Sequence, residues 1–136
     1  MNKNIFTKII KNEISAYKIA ETYNHLAFLD IYPLKIGHTL VIPKKENIEK
    51  IFSLTKNEFL SIMSFTRKVA IGIEKIIPCN RIGIFVLGFE IPHAHIHLIP
   101  MDKESDGDFS KKRIDLSEKY FKILSKKIKK SIEIEK

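Results

Sequence analysis

Apolar and polar positions change period several times along the chain, and each change marks an element. Residues 14–23 alternate over a short stretch (Ile14, Ala16, Ile19), which predicts a strand. The apolar run His25 to Asp30 (HLAFLD) ends at Tyr32-Pro33 and predicts a second strand with a turn after it. Gly37 opens the next segment, and Thr39 to Ile42 (TLVI), closed by Pro43, predicts a third. Three short strands so close in sequence form an antiparallel meander most simply. The period then becomes three and four residues: Phe59, Ile62, Met63, Thr66, Val69, Ala70, Ile73 and Ile77 form the buried stripe of an amphipathic helix. Thr55-Lys56-Asn57-Glu58 has the form of a capping box at its start, and Pro78 stops it. Arg81 to Leu87 and about His93 to Ile99 predict two more strands, joined by the five residues Gly88 to Pro92. Met101 to Asp108 is polar, acidic and loop-like. Asp115 or Ser117 then caps a second helix, with Phe121, Leu124, Ile128 and Ile132 on one side and lysines on the other.

The order strand–strand–strand–helix–strand–strand–helix predicts an α+β fold: an antiparallel sheet of about five strands with helices packed on one face. At 136 residues the chain fits one domain. Its 44% hydrophobic and 29% charged residues mark it as globular. No apolar run approaches the ~20 residues of a membrane span, so no membrane partner is expected. Met1 to Ile10 has Lys3 and Lys8 but no unbroken apolar stretch after them and does not read as a signal peptide. The single cysteine, Cys79, rules out an internal disulfide framework, and the expected location is cytoplasmic.

Charge changes the picture little. The formal net charge is +8, but residues 1–109 contribute only +2 and residues 110–136 contribute +6. The basic residues are 21 lysines against 3 arginines, whereas specific phosphate and base recognition favours the arginine fork. A nucleic-acid partner is therefore not expected, and the basic C-terminal helix reads as a packing helix with a solvated lysine face.

Histidine is the residue type that is bunched. Of five histidines, three lie at positions 93, 95 and 97. On a strand these three point to one face, with Cα atoms about 7 Å apart in succession, while Ala94, Ile96 and Leu98 point into the core. Two chemistries use such a row. One is a metal site, in which neutral imidazoles share a Zn²⁺ with a further ligand. The other is nucleophilic or acid–base catalysis by a neutral imidazole oriented by its neighbours. The nearest acid is Glu90, and no carboxylate lies within the run itself, which tilts the reading against metal.

The stretch PHAHIHLIP (residues 92–100) resembles the signature of the histidine triad (HIT) family, in which three histidines alternate with apolar residues. NIFTKIIKNEISAYKIAE (residues 4–21) and HLAFLDIYPLKIGHTLVIPKK (residues 25–45) resemble the N-terminal half of the same family, in the expected order. The resemblance implies a HIT-like fold over residues 1–109, with 110–136 a basic C-terminal helical extension. It implies a homodimer that binds small-molecule nucleotides and hydrolyses nucleoside phosphoramidates or dinucleoside polyphosphates at the α-phosphorus. The alternative it leaves is a nucleotide-binding module with little or no turnover.

The same resemblance implies the roles of individual residues. His95 is the nucleophile and forms a nucleotidyl-histidine. His97 contacts a phosphate oxygen or carries protons, His93 orients the nucleophile, and His38 packs into the network. Asp30 binds the ribose hydroxyls, Phe6, Ile9 and Ile31 line the base pocket, and Gly88 belongs to the loop before the triad. No cofactor and no metal are implied. Some members carry Cys-x-x-Cys where this chain has Asn4-Ile5-Phe6-Thr7, so a structural zinc is not expected. The transferase branch has glutamine at the position of His97. The family commonly has a polar loop before the triad; here it reads Val86-Leu87-Gly88-Phe89-Glu90-Ile91-Pro92, with Glu90 near the place of a phosphate-contacting hydroxyl residue.

Overall fold

A computed structural model describes residues 4–132; residues 1–3 and 133–136, the outer ends of the two predicted segments, lie outside the described residues. The meander forms as β1 (Lys18–Glu21), β2 (His25–Leu29) and β3 (Thr39–Pro43). The long helix α2 (Lys56–Ile76) follows, then β4 (Arg81–Phe85), β5 (Ile96–Met101) and α3 (Glu118–Ser131). A short N-terminal helix, α1 (Ile5–Ile10), precedes them all. All strand pairs are antiparallel, and the sheet order is β1-β2-β3-β5-β4. The fold is α+β, as the element order predicts.

Every residue of β2 and β3 is buried, because both faces of the sheet are covered. Ala27, Leu29, Val41, Ile96 and Leu98 join the core beneath α2 and α3. Leu26, Phe28, Leu40 and Ile42 form a second cluster with Phe6 and Ile9 of α1 on the opposite face. The α2 start is a capping box: Glu58 N–H donates to Thr55 Oγ1 at 3.2 Å, and Thr55 N–H donates to Glu58 Oε1 at 2.8 Å. Of the two candidate caps of α3, Ser117 serves; its Oγ accepts from Tyr120 N–H at 3.1 Å. Phe121, Leu124, Ile128 and Ile132 are buried in the same core as α2.

β4 ends at Phe85, two residues short of the expected Leu87, and three further departures from the periodicity each have a visible reason. The strand expected from residue 14 starts at Lys18, since the N–H groups of Glu13 and Ile14 fold back onto Lys8 O at the end of α1. α1 itself has no predicted counterpart; its six residues are too few to establish a helical period, and Asn4 caps it by accepting from Thr7 N–H at 2.9 Å. The strand expected over His93 to Ile99 begins only at Ile96. Ala94 N–H bonds Ile48 O at 2.7 Å, and the His93 imidazole takes Pro43 O, the last carbonyl of β3, so the ladder stops at Val41↔Ile96. The triad histidines therefore sit on an irregular segment running into a strand, and only His97 lies within it. Ala94, Ile96 and Leu98 nevertheless face the core together.

Candidate active site

β5 is an interior strand between β3 and β4, and His93, His95 and His97 are 1%, 6% and 8% exposed. Alternation puts them on one face without deciding their exposure; burial makes their protonation states a matter of specific hydrogen bonds. His95 Nδ1–H donates to the His93 carbonyl at 2.7 Å, which leaves the His95 Nε2 lone pair uncommitted. The His93 imidazole lies elsewhere: its Nε2–H donates to Pro43 O at 2.8 Å. His93 thus holds His95 through its backbone oxygen rather than its ring.

His38 comes from the turn before β3. Its Nδ1 accepts from Leu34 N–H at 3.0 Å, so the neutral ring carries its proton on Nε2. That Nε2–H points at His97 Nδ1, 3.0 Å away. His97 must then accept on Nδ1 and carry its own proton on Nε2. The relay runs Leu34 N–H to His38 to His97 and ends in a donor. Burial is the main cause that holds the His38 pKa down to about 3, helped by His97 and Arg113. Burial likewise holds His97 down to about 4, with charge on His95 and Arg113 adding to it. His95 is lowered chiefly by burial, against which its bond to the His93 carbonyl and the charge of Glu90 act. At neutral pH the three rings are uncharged, one with an acceptor nitrogen and one with a donor facing the same space.

That space is a cavity of about 540 Å³. His95 and His97 line it, with ring centroids 5.0 Å apart, and so do Asp30, Ile31, Phe6, Ile9 and Gly88. Phe6 meets His95 edge-on at 5.1 Å and Phe28 at 5.8 Å, so α1 supplies the apolar wall. Asp30 Oδ1 accepts from Tyr32 N–H at 2.9 Å, and Oδ2 stands 3.6 Å from His38 Nε2. Burial raises the Asp30 pKa, opposed by the Tyr32 bond and Arg113 and aided by Glu90. Gly88 has φ +78°, a left-handed turn that glycine adopts without strain. His93 and His38 do not line the cavity; they support the rings that do.

Among the lining residues that the sequence reading does not assign to the site, Phe109 and Arg113 come from beyond the triad. Phe109 packs edge-on against His97 at 4.9 Å, and the Arg113 guanidinium lies over the Phe109 ring at 5.7 Å while Nη1 donates to Tyr32 O at 2.8 Å. Ile114 N–H bonds Pro33 O at 2.9 Å and so ties this stretch to the turn after β2. The start of the C-terminal segment therefore reaches the site. The one signal for it was an arginine within an otherwise lysine-rich run.

Among the described residues, the side chains that gather closely enough for a cation are Asp30, His38 and His97, not the three triad histidines. The hydrogen bonding disfavours that use. Leu34 N–H occupies His38 Nδ1 and forces the proton onto Nε2, the atom that would have to ligate. A second cavity of about 600 Å³ lies beside His25. Its imidazole is engaged by Thr22 and Ser61, and its lysines Lys44 and Lys45 pair with Glu21 and Glu58.

Residues 11–104 match the HIT domain family. The chain is 41% identical over 105 residues to the adenosine 5'-monophosphoramidase of Schizosaccharomyces pombe, covering 76% of this chain and 77% of that one. It is 35% identical over 136 residues to an uncharacterised HIT-like protein of Borreliella burgdorferi, covering 94% and 97%. Among solved structures, a hypothetical histidine triad nucleotide-binding protein from Sulfolobus tokodaii superposes with a TM-score of 0.78 at 30% identity, covering 93% of this chain and 90% of that one.

Proposed function

The chain belongs to the HIT domain family, and from that premise we propose that it hydrolyses purine nucleotide conjugates at the α-phosphorus, with nucleoside phosphoramidates as the favoured class. The observation that carries this reading is the pair of complementary nitrogens, a lone pair on His95 Nε2 and a proton on His97 Nε2, set against one cavity. His95 Nε2 attacks phosphorus and the phosphorus–nitrogen bond to the leaving amine breaks, its electron pair staying on the amine, which takes a proton from solvent. The adduct leaves His95 an imidazolium, and its Nδ1–H remains bonded to the His93 carbonyl, which stabilises that charge. His97 Nε2–H donates to a phosphoryl oxygen as charge builds on it. Water then attacks phosphorus, its extra proton goes to solvent, and the bond to His95 breaks with its pair returning to Nε2. The net change is conjugate plus water to nucleoside monophosphate plus amine.

The cavity suits such a ligand. Asp30 offers a carboxylate to vicinal ribose hydroxyls, and Phe6, Ile9 and Ile31 offer apolar walls to a flat base. The relative from Schizosaccharomyces pombe, named an adenosine 5'-monophosphoramidase, supports the substrate class. The test is hydrolysis of adenosine 5'-phosphoramidate with EDTA present, followed by mass spectrometry of acid-free quenched enzyme. AMP release and a nucleotidyl mass on His95 are expected, and His95→Ala lowers kcat by about three orders of magnitude or more. An unchanged rate in His95→Ala removes the nucleophile assignment. The alternative, a binding module with little turnover, draws on the carboxylate of Glu90 in the same cavity, which repels an anionic phosphate. Tight AMP binding without turnover in the same assay would favour it.

The edge strand β4, whose outer side pairs with no strand among the described residues, supports assembly as a homodimer, in line with the family resemblance.

A further inference from the structure

The charge balance of the cavity is unusual for one that takes an anionic nucleotide. Its acidic side chains are Asp30 and Glu90, its one basic side chain is Arg113, and burial keeps its imidazoles neutral near pH 7. Arg113 lies near Asp30, bonded to the Tyr32 carbonyl next door, and lowers the Asp30 pKa. Its charge also reaches His97, so it serves the Asp30 and His97 side of the cavity, and no ion pair links it to Glu90 among the described residues. Glu90 is exposed, and among the described residues nothing hydrogen-bonds or ion-pairs with it. Its charge nevertheless reaches both His95 and Asp30. A lone carboxylate beside the nucleophile repels a phosphate unless the ligand itself brings a positive group.

The residues around Glu90 describe that group further. Leu87 and Phe89 are 47% and 93% exposed, yet both line the cavity with Glu90 and Ile91. The loop before the triad thus presents an apolar surface carrying one negative charge on the open side of the site, while His95 is buried at its floor. In-line displacement sends the leaving group away from His95, toward that open side.

Resting on the phosphoramidase reading, we propose that the 86–91 loop is a leaving-group subsite, in which Glu90 selects amines that carry a second, protonated amino group on an apolar arm. The arm lies against Leu87 and Phe89, and the ammonium pairs with the Glu90 carboxylate. This gives a carboxylate that hinders phosphate binding a use in substrate selection.

The test uses two adenosine 5'-phosphoramidates of equal length, one of aminobutylamine, which ends in an ammonium, and one of pentylamine, which does not. The ratio of their kcat/KM values is measured for the full-length protein, Glu90→Gln and Glu90→Lys. The wild type favours the ammonium substrate by about three- to tenfold, as befits a half-exposed ion pair. The ratio falls to about one in Glu90→Gln, inverts in Glu90→Lys, and shrinks in the wild type at high salt. A ratio near one in the wild type, or one that the substitutions leave unmoved, overturns the subsite. Dissociation constants for the matching non-hydrolysable adenosine 5'-sulfamides are measured alongside. If neither phosphoramidate turns over, the phosphoramidase reading fails, and the charge preference is still decided by whether the ammonium sulfamide binds more tightly and loses that advantage in Glu90→Gln.

Discussion

A chain of single hydrogen bonds sets the chemistry of each imidazole. Leu34 N–H fixes the tautomer of His38, His38 fixes that of His97, and the His93 carbonyl fixes that of His95. The identity of these partners is invisible in the sequence, because two of the three key groups, Leu34 N–H and the His93 carbonyl, are backbone atoms. The relay has a measurable cost in acid. His38 titrates at about 3 and His97 at about 4 in the folded state, against about 6.5 in an unfolded chain. Between those values the unfolded state binds more protons, so stability rises with pH through that window and is lost as pH falls from about 6.5 toward 4. The two rings hydrogen-bond to each other, so their contributions to this pH dependence are coupled rather than additive. Urea unfolding at pH 7 and pH 4.5 is expected to show this loss in the wild type and a smaller one in His38→Asn, which is already weaker at pH 7. Parallel losses in the two proteins would mean that His38 does not carry the dependence.

Secondary elements followed from the sequence where a period had room to repeat. The 21 residues of α2 do so, and both its capping box and the α3 stripe stand where their residues place them. The six residues of α1 do not, and the strand carrying the triad is shorter than alternation implies because His93 takes the carbonyl a longer ladder would use. The candidate site was legible to the same degree. His95, His97, Asp30, Phe6, Ile9, Ile31 and Gly88 converge on one cavity, whereas Phe109 and Arg113 arrive through a loop with no period to read. The stripes show which helix faces are buried, but not where the two helices meet. α2 and α3 cross at Gly72, whose carbonyl accepts from Ser131 Oγ at 2.8 Å, and a Cβ at Gly72 would stand 2.3 Å from Ile132 Cγ1 and 3.3 Å from its Cα. Alanine is the better helix former by about 1 kcal/mol, but relieving this contact moves backbone as well as side chain. Gly72→Ala is therefore expected to destabilise by about 1–2 kcal/mol net in chemical denaturation. A gain in stability would show that the α3 end yields freely.

For the molecule as a whole, the two edges of the sheet differ. β1 is four residues long, interrupted by a bulge between Lys18 and Ala20, and packs against α3. β4 runs five residues in unbroken register with β5, and among the described residues no strand pairs with its outer edge. Ile82 and Ile84 share one face along it and Val86 follows its end; Ile82 reaches the core, while Ile84 and Val86 are 49% and 43% exposed. An open edge with apolar side chains invites pairing with an identical edge, and antiparallel pairing of two β4 strands about a twofold axis would make one continuous sheet. Such pairing buries Ile84 at the centre of the new contact, where a carboxylate is costly, yet Ile84 contributes little to the fold of one subunit. Ile84→Asp is therefore expected to elute as a monomer in size-exclusion chromatography with light scattering, keeping its circular dichroism, while the wild type at the same concentration elutes at twice the mass. A wild type that runs as a monomer, or an Ile84→Asp protein that stays dimeric, would place the contact elsewhere or remove it. Since the cavity of one subunit already holds His95, His97 and Asp30, the monomeric variant also shows whether nucleotide binding needs the second copy.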